Sequence, residues 1–287
     1  MSGFSPGWLA LREPFDRAAR AAGDAAMAML RPPGLLQVLD LGCGTGSSLR
    51  ALAPRLGGAQ RWCLVDHDPA LLATVPQAVQ AWAGSEGLRV QTQGPQWLLQ
   101  GAGLQVEWDS RQADLATGLA GLPFPQAGLV TASALLDLVS EGWLADLVAR
   151  CRAVGAAVCW ALSVDGGVDF TPADPADAQV LALFAAHQQR DKGFGPALGA
   201  AAPARAEVLL RAAGYRTVRL QSDWHIAGAS GADGRGMLRA LVDGIATAAL
   251  EQGPHDAEAV QAWRARRLAR LAGTRLRVGH ADLVGTL

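Results

Sequence analysis

The 287-residue sequence has no asparagine and a single lysine, Lys192, among its 25 lysines and arginines. The first absence excludes every binding loop or metal cage built on that carboxamide. The second implies that arginine serves wherever only charge matters, so Lys192 marks a place where the shape of an ammonium can count; chance explains it equally well. Cysteine is scarce. Cys43, Cys63, Cys151 and Cys159 show no Cys-x-x-Cys spacing and read as free thiols in a reducing compartment. Excess charge is missing too: the formal net charge of −1 gives no bulk attraction to nucleic acid or to an acidic membrane. No apolar run approaches a membrane span, and the opening Met-Ser-Gly-Phe-Ser-Pro-Gly-Trp is not a basic segment followed by a long apolar one. These absences make a cytoplasmic protein the expectation. What is abundant is core: 50% hydrophobic against 18% charged residues suits a globular chain with a large interior.

Residues 36–50, Leu-Gln-Val-Leu-Asp-Leu-Gly-Cys-Gly-Thr-Gly-Ser-Ser-Leu-Arg, carry the most information. Leu36, Val38 and Leu39 predict a short strand that Asp40 closes. Gly42, Gly44 and Gly46 let the backbone turn sharply and approach a bulky ligand. Ser47 is placed to cap the helix that follows. Strand, glycine turn and helix together make a nucleotide-type pocket at a helix N-terminus. The spacing is not the dinucleotide fingerprint Gly-x-Gly-x-x-Gly, because position 47 is serine.

Two further strand ends repeat the theme, and a fourth strand follows. Trp62–Asp66 is a second apolar run closed by an acid, followed by His67-Asp68-Pro69. Leu104–Trp108 reads as a third strand and leads to Asp114-Leu115. Ala127–Ser133 reads as a fourth. An acid at the end of the second strand, about 20 residues past the glycines, suits both hydroxyls of a ribose. Each acid could instead simply cap a helix.

Asp-x-Gly-x-Gly-x-Gly with acids at the following strand ends resembles the class I S-adenosylmethionine (SAM) methyltransferases. The resemblance covers residues 34–165 well and the remainder in outline. It implies an α/β Rossmann-like fold with a seven-stranded, mostly parallel sheet whose last strand is antiparallel. It implies that Asp40, Gly42, Cys43, Gly44 and Gly46 surround the amino-acid end of SAM. Asp66 and His67 would flank the ribose, Asp114 and Leu115 the adenine, and Ser133, at the end of the fourth strand, would also bind the cofactor. The cofactor would be SAM and its product S-adenosyl-L-homocysteine (SAH). The missing asparagine now excludes two branches: the Asn-Pro-Pro-Tyr loop of DNA amino methyltransferases and the Asp/Asp/Asn cage of catechol-type enzymes. No Pro-Cys pair exists, so C5 methylation of cytosine through a cysteine is excluded as well.

The whole chain reads as one domain. Residues 1–33 would be N-terminal lid helices, with Phe15, Ala18, Ala19, Ala22, Ala25, Ala26 and Met29 at helical spacing and Arg31-Pro32-Pro33-Gly34 as the stop. Residues 34–164 would be the SAM-binding half. Within it, 84–103 is a glycine-rich insertion, around Gly94-Pro95, that can form a hairpin; Ser140 caps a helix over 141–152; Ala156–Val164 is a fifth strand. Residues 165–203 and 228–274 would be cap insertions. Residues 204–227 and 275–287 would complete the sheet, with strands at Arg216–His225 and Leu276–Leu283. In the family topology both insertions leave the C-terminal edge of the sheet, where ligands bind, so they converge as a lid over a small substrate.

Within that cap several residues can carry chemistry. Asp137 follows the fourth strand and can orient an acceptor or take its proton; a turn acid is the plain alternative. His187 shares a helix face with Val180 and Phe184, and His225 ends strand six; both are catalytic candidates. Trp8, Arg12, Lys192, Phe194, Trp224 and His280 are substrate-binding candidates. His280 with Asp282 could form a metal pair, but strand alternation explains the spacing more cheaply, and no metal is expected. Arg264, Arg266, Arg267, Arg270, Arg275 and Arg277 read as a solvated helix face rather than a nucleic-acid surface. The expected activity is transfer of the SAM methyl group to a small molecule by in-line displacement. Rivals are a Rossmann oxidoreductase, an RNA or protein methyltransferase, and a non-catalytic SAM-binding relative. The acceptor atom (O, N, S or C) and the oligomeric state are left open by the sequence.

Overall fold

The protein is described by a computed structural model covering residues 4–20, 23–30, 34–93 and 96–287. Ala22, the Arg31-Pro32-Pro33 stop and Gly94-Pro95 lie outside the described residues. Two helices, α1 (Pro6–Arg20) and α2 (Asp24–Ala28), precede the first strand. The alternating part then runs β1 (Leu36–Leu41), α3 (Ser47–Leu56), β2 (Gly58–Asp66), α4 (Pro69–Ser85), β3 (Arg89–Gln93), β4 (Gln96–Gly101), β5 (Leu104–Gln112), β6 (Leu129–Ser133), α5 (Glu141–Val154) and β7 (Ala157–Thr171). It finishes with α6 (Asp177–Gln188), α7 (Ala202–Ala212), β8 (Arg216–Gln221), β9 (Trp224–Ala227), α8 (Ala232–Gln252), α9 (Ala257–Ala269) and β10 (Arg275–Thr286).

One sheet holds all ten strands in the order β3-β4-β5-β2-β1-β6-β7-β10-β8, with β9 also paired to β10. β5, β2, β1, β6 and β7 are mutually parallel, and β10 enters antiparallel between β7 and β8. This is the Rossmann-like methyltransferase order, with three strands beyond the expected seven. β3 and β4 form the antiparallel hairpin read from the glycine-rich insertion, and they extend the sheet beside β5. The sixth strand is broken into β8 and β9. Ser222 and Asp223 leave the strand there, because the Asp282 carboxylate accepts from Ser222 Oγ at 2.6 Å and Asp223 accepts from the His280 amide at 3.1 Å. The fifth strand does not stop at Val164. It turns at Leu162 (φ +56°) and runs on to Thr171, because β10 offers it a partner as far as Arg275.

Apolar strand faces bury the sheet on both sides. Leu39, Val130 and Trp160 pack under α5 and α7, and Val38, Trp62 and Trp108 under α3 and α4. A third cluster, with Val180, Met237, Val242 and Trp263, joins α6, α8 and α9 to the extension of β7 and β10. Trp8, Leu11 and Phe15 of α1 pack against this third cluster. The N-terminal helix and the cap helices therefore meet above the C-terminal edge of the parallel strands. Among the described residues no helix is long and apolar enough to cross a membrane.

Candidate functional site

The glycine turn folds as the residues require. Gly44 (φ +55°) and Gly46 (φ +79°) take left-handed backbone conformations that side-chain-bearing residues avoid. The turn is tied to the next strand by Cys43 N–H donating to Val65 O at 3.0 Å. Gly46, not Ser47, stands at the N-cap of α3, and Ser47 is already helical without a capping bond. The Ser47 cap is thus corrected: a left-handed glycine turns the chain straight into the helix. Ser140 does cap α5, accepting from Trp143 N–H at 3.3 Å.

The acids converge on this turn. Asp66 is buried, and its carboxylate accepts from the amides of Gly44 at 2.8 Å and Asp68 at 3.0 Å. His67, largely exposed, lies 3.2 Å from Asp66 Oδ1. Asp114, exposed at the end of β5, accepts from Ala116 N–H at 2.9 Å, so the helix-capping alternative describes part of what it does. Leu115 is buried beside it, and its carbonyl accepts from Trp143 Nε1 at 2.8 Å. Asp40 is fully buried, and its carboxylate has no well-aligned hydrogen bond in the protein, only a weak contact with the Ser48 side chain. Burial pushes its pKa up from 3.8 to about 8, with the Arg20 guanidinium pulling the other way.

Arg20 is the residue that sequence reasoning missed. It is buried, donates to Ser133 Oγ at the end of β6, and keeps an unpartnered Nε. Arg12, Asp16 and Arg20, all buried, lie at intervals of four on α1, so one face of that helix carries a polar stripe toward the sheet edge. The spacing was visible; the apolar positions around it drew attention away. A buried cation and a buried acid with open hydrogen-bonding capacity, side by side at a glycine turn, suit a zwitterion such as the amino-acid end of SAM.

A native pKa near 8 also has a stability consequence. Asp40 holds its proton in the folded chain above the range where an unfolded carboxyl loses it. The stability from this uptake is complete below pH 4 and lost as pH rises toward about 8. Asp40→Asn should therefore melt higher than the parent at pH 8, with the gap closing toward pH 4. Melting curves across that range check this; a variant less stable at every pH would mean that Arg20 fully compensates the charge.

Further along the edge, Arg12, Trp224 and His280 come together. Arg12 donates to Asp16 at 3.0 and 3.2 Å, and Trp224 Nε1 donates to the same carboxylate at 3.0 Å. The Arg12 guanidinium lies 4.9 Å from the Trp224 ring, and the His280 ring lies 4.6 Å from it on centroids. His280 Nδ1 faces Val278 O at 3.0 Å, and burial lowers its pKa to about 4, so the ring is neutral with its proton on Nδ1. Trp224 and His280 are both buried, and Trp224 anchors α1 through Asp16. Asp137 lies beside this group. Its Oδ1 is buried without a partner, and burial raises its pKa to about 6 while its own amide and the Arg12 charge oppose the rise. Ala134 (φ +51°), three residues earlier, is one of two described non-glycine residues with positive φ; Leu162, within β7, is the other, so the backbone is strained just after β6 and at the turn inside β7.

The loop after α6 reaches the same edge. Phe194 meets Trp143 edge-on at 5.6 Å, Leu198 N–H donates to Val139 O at 2.9 Å, and Gly199 N–H to Asp137 O at 3.0 Å. Lys192 points elsewhere, donating to His187 O at 3.3 Å. The structure does not bring the two catalytic histidine candidates to the site, and both placements are corrected. His187 Nε2 lies 2.9 Å from Glu251 Oε2 and ties α6 to the end of α8, because its helix face turns to α8. His225 is exposed, since strand alternation puts it on the face opposite Trp224, in a shallow concavity with Arg275 and Arg277. Asp282 is committed to Leu162 N–H at 2.8 Å and to Ser222, not to a metal, and no metal-holding cluster occurs among the described residues. Four of the six clustered arginines are paired: Arg264 with Asp243, Arg266 with Asp174, Arg267 with Asp177, and Arg277 with Asp169 and Asp223.

Comparison with known proteins agrees with this geometry. Residues 38–155, from the first strand to the end of α5, match the model of a methyltransferase domain family. No curated protein matches the sequence. Among solved structures, a cyclopropane-fatty-acyl-phospholipid synthase-like protein from Lactobacillus casei is 14% identical, covering 99% of this chain and 95% of that one with a TM-score of 0.52, which shows the shared fold. A SAM-dependent methyltransferase from Geobacter sulfurreducens, solved with SAH, is 13% identical over 100% of both chains with a TM-score of 0.47. Magnesium protoporphyrin IX methyltransferase from Synechocystis, also with SAH, is 16% identical over 77% of this chain and 83% of that one, with a TM-score of 0.44.

Proposed function

We propose that the chain, whose residues 38–155 match a methyltransferase domain model, is a class I SAM-dependent methyltransferase that methylates a small molecule held beneath α1 and the cap helices, with Asp137 as the group that receives the acceptor's proton. The observation that carries this reading is one strip of the sheet edge. There the glycine turn, Asp66, the buried Asp40, Arg20 with its open Nε, Ser133 and Asp137 stand in the order cofactor end to acceptor end, with α1 lying over them. When bound, SAM supplies a methyl group already activated by its sulfonium. The protein's own work is to position, to exclude water and to take a proton.

In this reading Gly42, Cys43, Gly44 and Gly46 admit the amino-acid end, Asp40 accepts from its ammonium, and Arg20 donates to its carboxylate. Asp66 accepts from the ribose, and Asp114 with Leu115 borders the adenine. Asp137 sits where an O–H or N–H acceptor can donate to Oδ1, and its pKa near 6 leaves it ionised at neutral pH. Arg12 lies next to it, held by Asp16. A covered edge with buried polar groups favours a small acceptor over a polymer, which needs an open groove.

Calorimetric titration tests the cofactor half. SAH should bind and NAD should not. Asp66→Ala should weaken SAH by roughly 1.5–3 kcal/mol, the loss for hydrogen bonds to a charged group, with little change in melting temperature. Unchanged affinity in that variant would remove Asp66 from the cofactor site. Mass spectrometry of molecules that co-purify with the protein, and of products formed with labelled SAM, tests the acceptor half; labelled RNA or protein in place of a small product would overturn it.

A further inference from the structure

Arg50 of α3 is buried, and its guanidinium is divided between two partners. Nη1 donates to the carbonyl of Thr45, inside the glycine turn, at 2.5 Å. Nε and Nη2 donate to the two carboxylate oxygens of Glu13 on α1, each at 2.7 Å, in a planar two-bond pair. Nη2 also lies 3.4 Å from Thr45 Oγ1. One arginine thus joins the floor of the cofactor site to the helix above it. Beside this bridge, Leu9 of α1 rests on the turn: a Cβ built on Gly44 would come within 3.0 Å of its Cδ1. One turn further along the same helix Asp16 bonds Trp224, and at its end Arg20 bonds Ser133.

We propose that Glu13 and Arg50 are positioning residues for the cofactor: Arg50 holds the shape of the glycine turn through the Thr45 carbonyl, and Glu13 makes that hold depend on α1 being closed. Neither side chain touches the cofactor in this account. The assignment rests on the SAM-binding reading above. Its chemistry follows from the pair's geometry. A carboxylate that takes both donors on one edge of a guanidinium fixes its plane, and only in that plane does the remaining nitrogen meet Thr45 O. With Glu13 gone, Arg50 can rotate toward water, the turn loses its brace, and α1 loses one of its polar attachments to the body. The cofactor then finds the same contacts but is held behind a looser cover. The expected signature is faster release with little change in capture, since changes at a fixed set of contacts fall mainly on the dissociation rate.

The test is stopped-flow measurement of SAH association and dissociation, followed by tryptophan fluorescence, on the parent, Glu13→Gln, Glu13→Asp, Arg50→Met and the Glu13→Gln/Arg50→Met double variant. Glu13→Gln should release SAH about tenfold faster with its association rate within about twofold of the parent. Glu13→Asp, which keeps the charge and loses the reach, should fall between. The double variant should release no faster than Arg50→Met alone, because both changes cut the same link. Melting temperatures measured in parallel separate a loss of fold from a loss of hold: a variant that melts with the parent yet releases faster supports the positioning role. Parental release rates in both Glu13 variants would overturn it, as would additive effects in the double variant. A parent chain that binds no SAH at all would overturn the cofactor reading instead.

Discussion

Gly44→Val should abolish measurable SAH binding, on the order of a hundredfold loss or more, while the chain still folds. The backbone at Gly44 has φ +55°, where a β-branched residue is strained by roughly 1–3 kcal/mol. Relief of that strain moves the Gly44 amide, which donates to Asp66, and so moves the acid proposed to hold the ribose. The added side chain also meets Leu9, which already stands 3.0 Å from the nearest Cβ position, so α1 is pushed off the turn. Three effects at one position therefore act in the same direction on the proposed cofactor site. None of them touches the sheet interior, where Leu39, Leu41 and Trp62 remain packed. Calorimetry with SAH, with circular dichroism as the folding control, checks the expectation. Normal binding would make the glycine turn a structural feature alone.

Asp137→Asn should lower the turnover of methyl transfer by about 10²–10⁴, the usual worth of a positioned base, and leave SAH affinity within about twofold. Asparagine keeps the shape and loses the ability to accept a proton. The pH profile adds a second reading. Burial raises the Asp137 pKa to about 6, so activity should climb with pH through that value as the carboxyl ionises and level off above it. In the asparagine variant that limb should vanish and a flat residual rate remain. Parental turnover in Asp137→Asn, measured on the product that mass spectrometry identifies, would make this residue the turn acid that its position after β6 also allows.

The parts of this site that were legible in the sequence are those set by neighbours along the chain. A strand, a glycine turn and a helix within 15 residues need no distant partner to be recognised, and acids at successive strand ends follow from the same alternation. The hairpin of β3 and β4 was readable from its glycines for the same reason. The parts that failed depend on contacts made far away. His187 shares a helix with Val180, yet its direction is decided by Glu251, 64 residues later. The extension of β7 passes through Gly166-Gly167, at the start of the segment read as a cap insertion, and pairing with β10 holds it as a strand. The break between β8 and β9 is made by Asp282 and the His280 amide. Arg20 lay in plain view at the end of a helix, but nothing local says that a buried carboxyl waits for it at Asp40.

Those distant contacts also explain why the cap does two things. The Arg12–Asp16–Trp224 group anchors α1 to β9, and Glu13–Arg50 anchors it to α3, so one short helix covers the whole strip proposed to hold cofactor and acceptor. Apolar packing of Trp8, Leu11 and Phe15 against the third cluster adds the non-directional part of that closure. Arginine supplies much of the polar contact of α1, through Arg12, Arg20 and Arg50, in keeping with a chain that uses one lysine in all.

The most direct measurement is a crystal structure of the protein with SAH. The account predicts the adenosine along Asp66 and Asp114, the amino-acid end between Asp40 and Arg20, and the sulfur facing Asp137 in a space closed by α1 and the 191–199 loop. A SAH molecule whose sulfur opens onto a groove wide enough for a polymer, or whose amino-acid end lies away from Arg20, would contradict it.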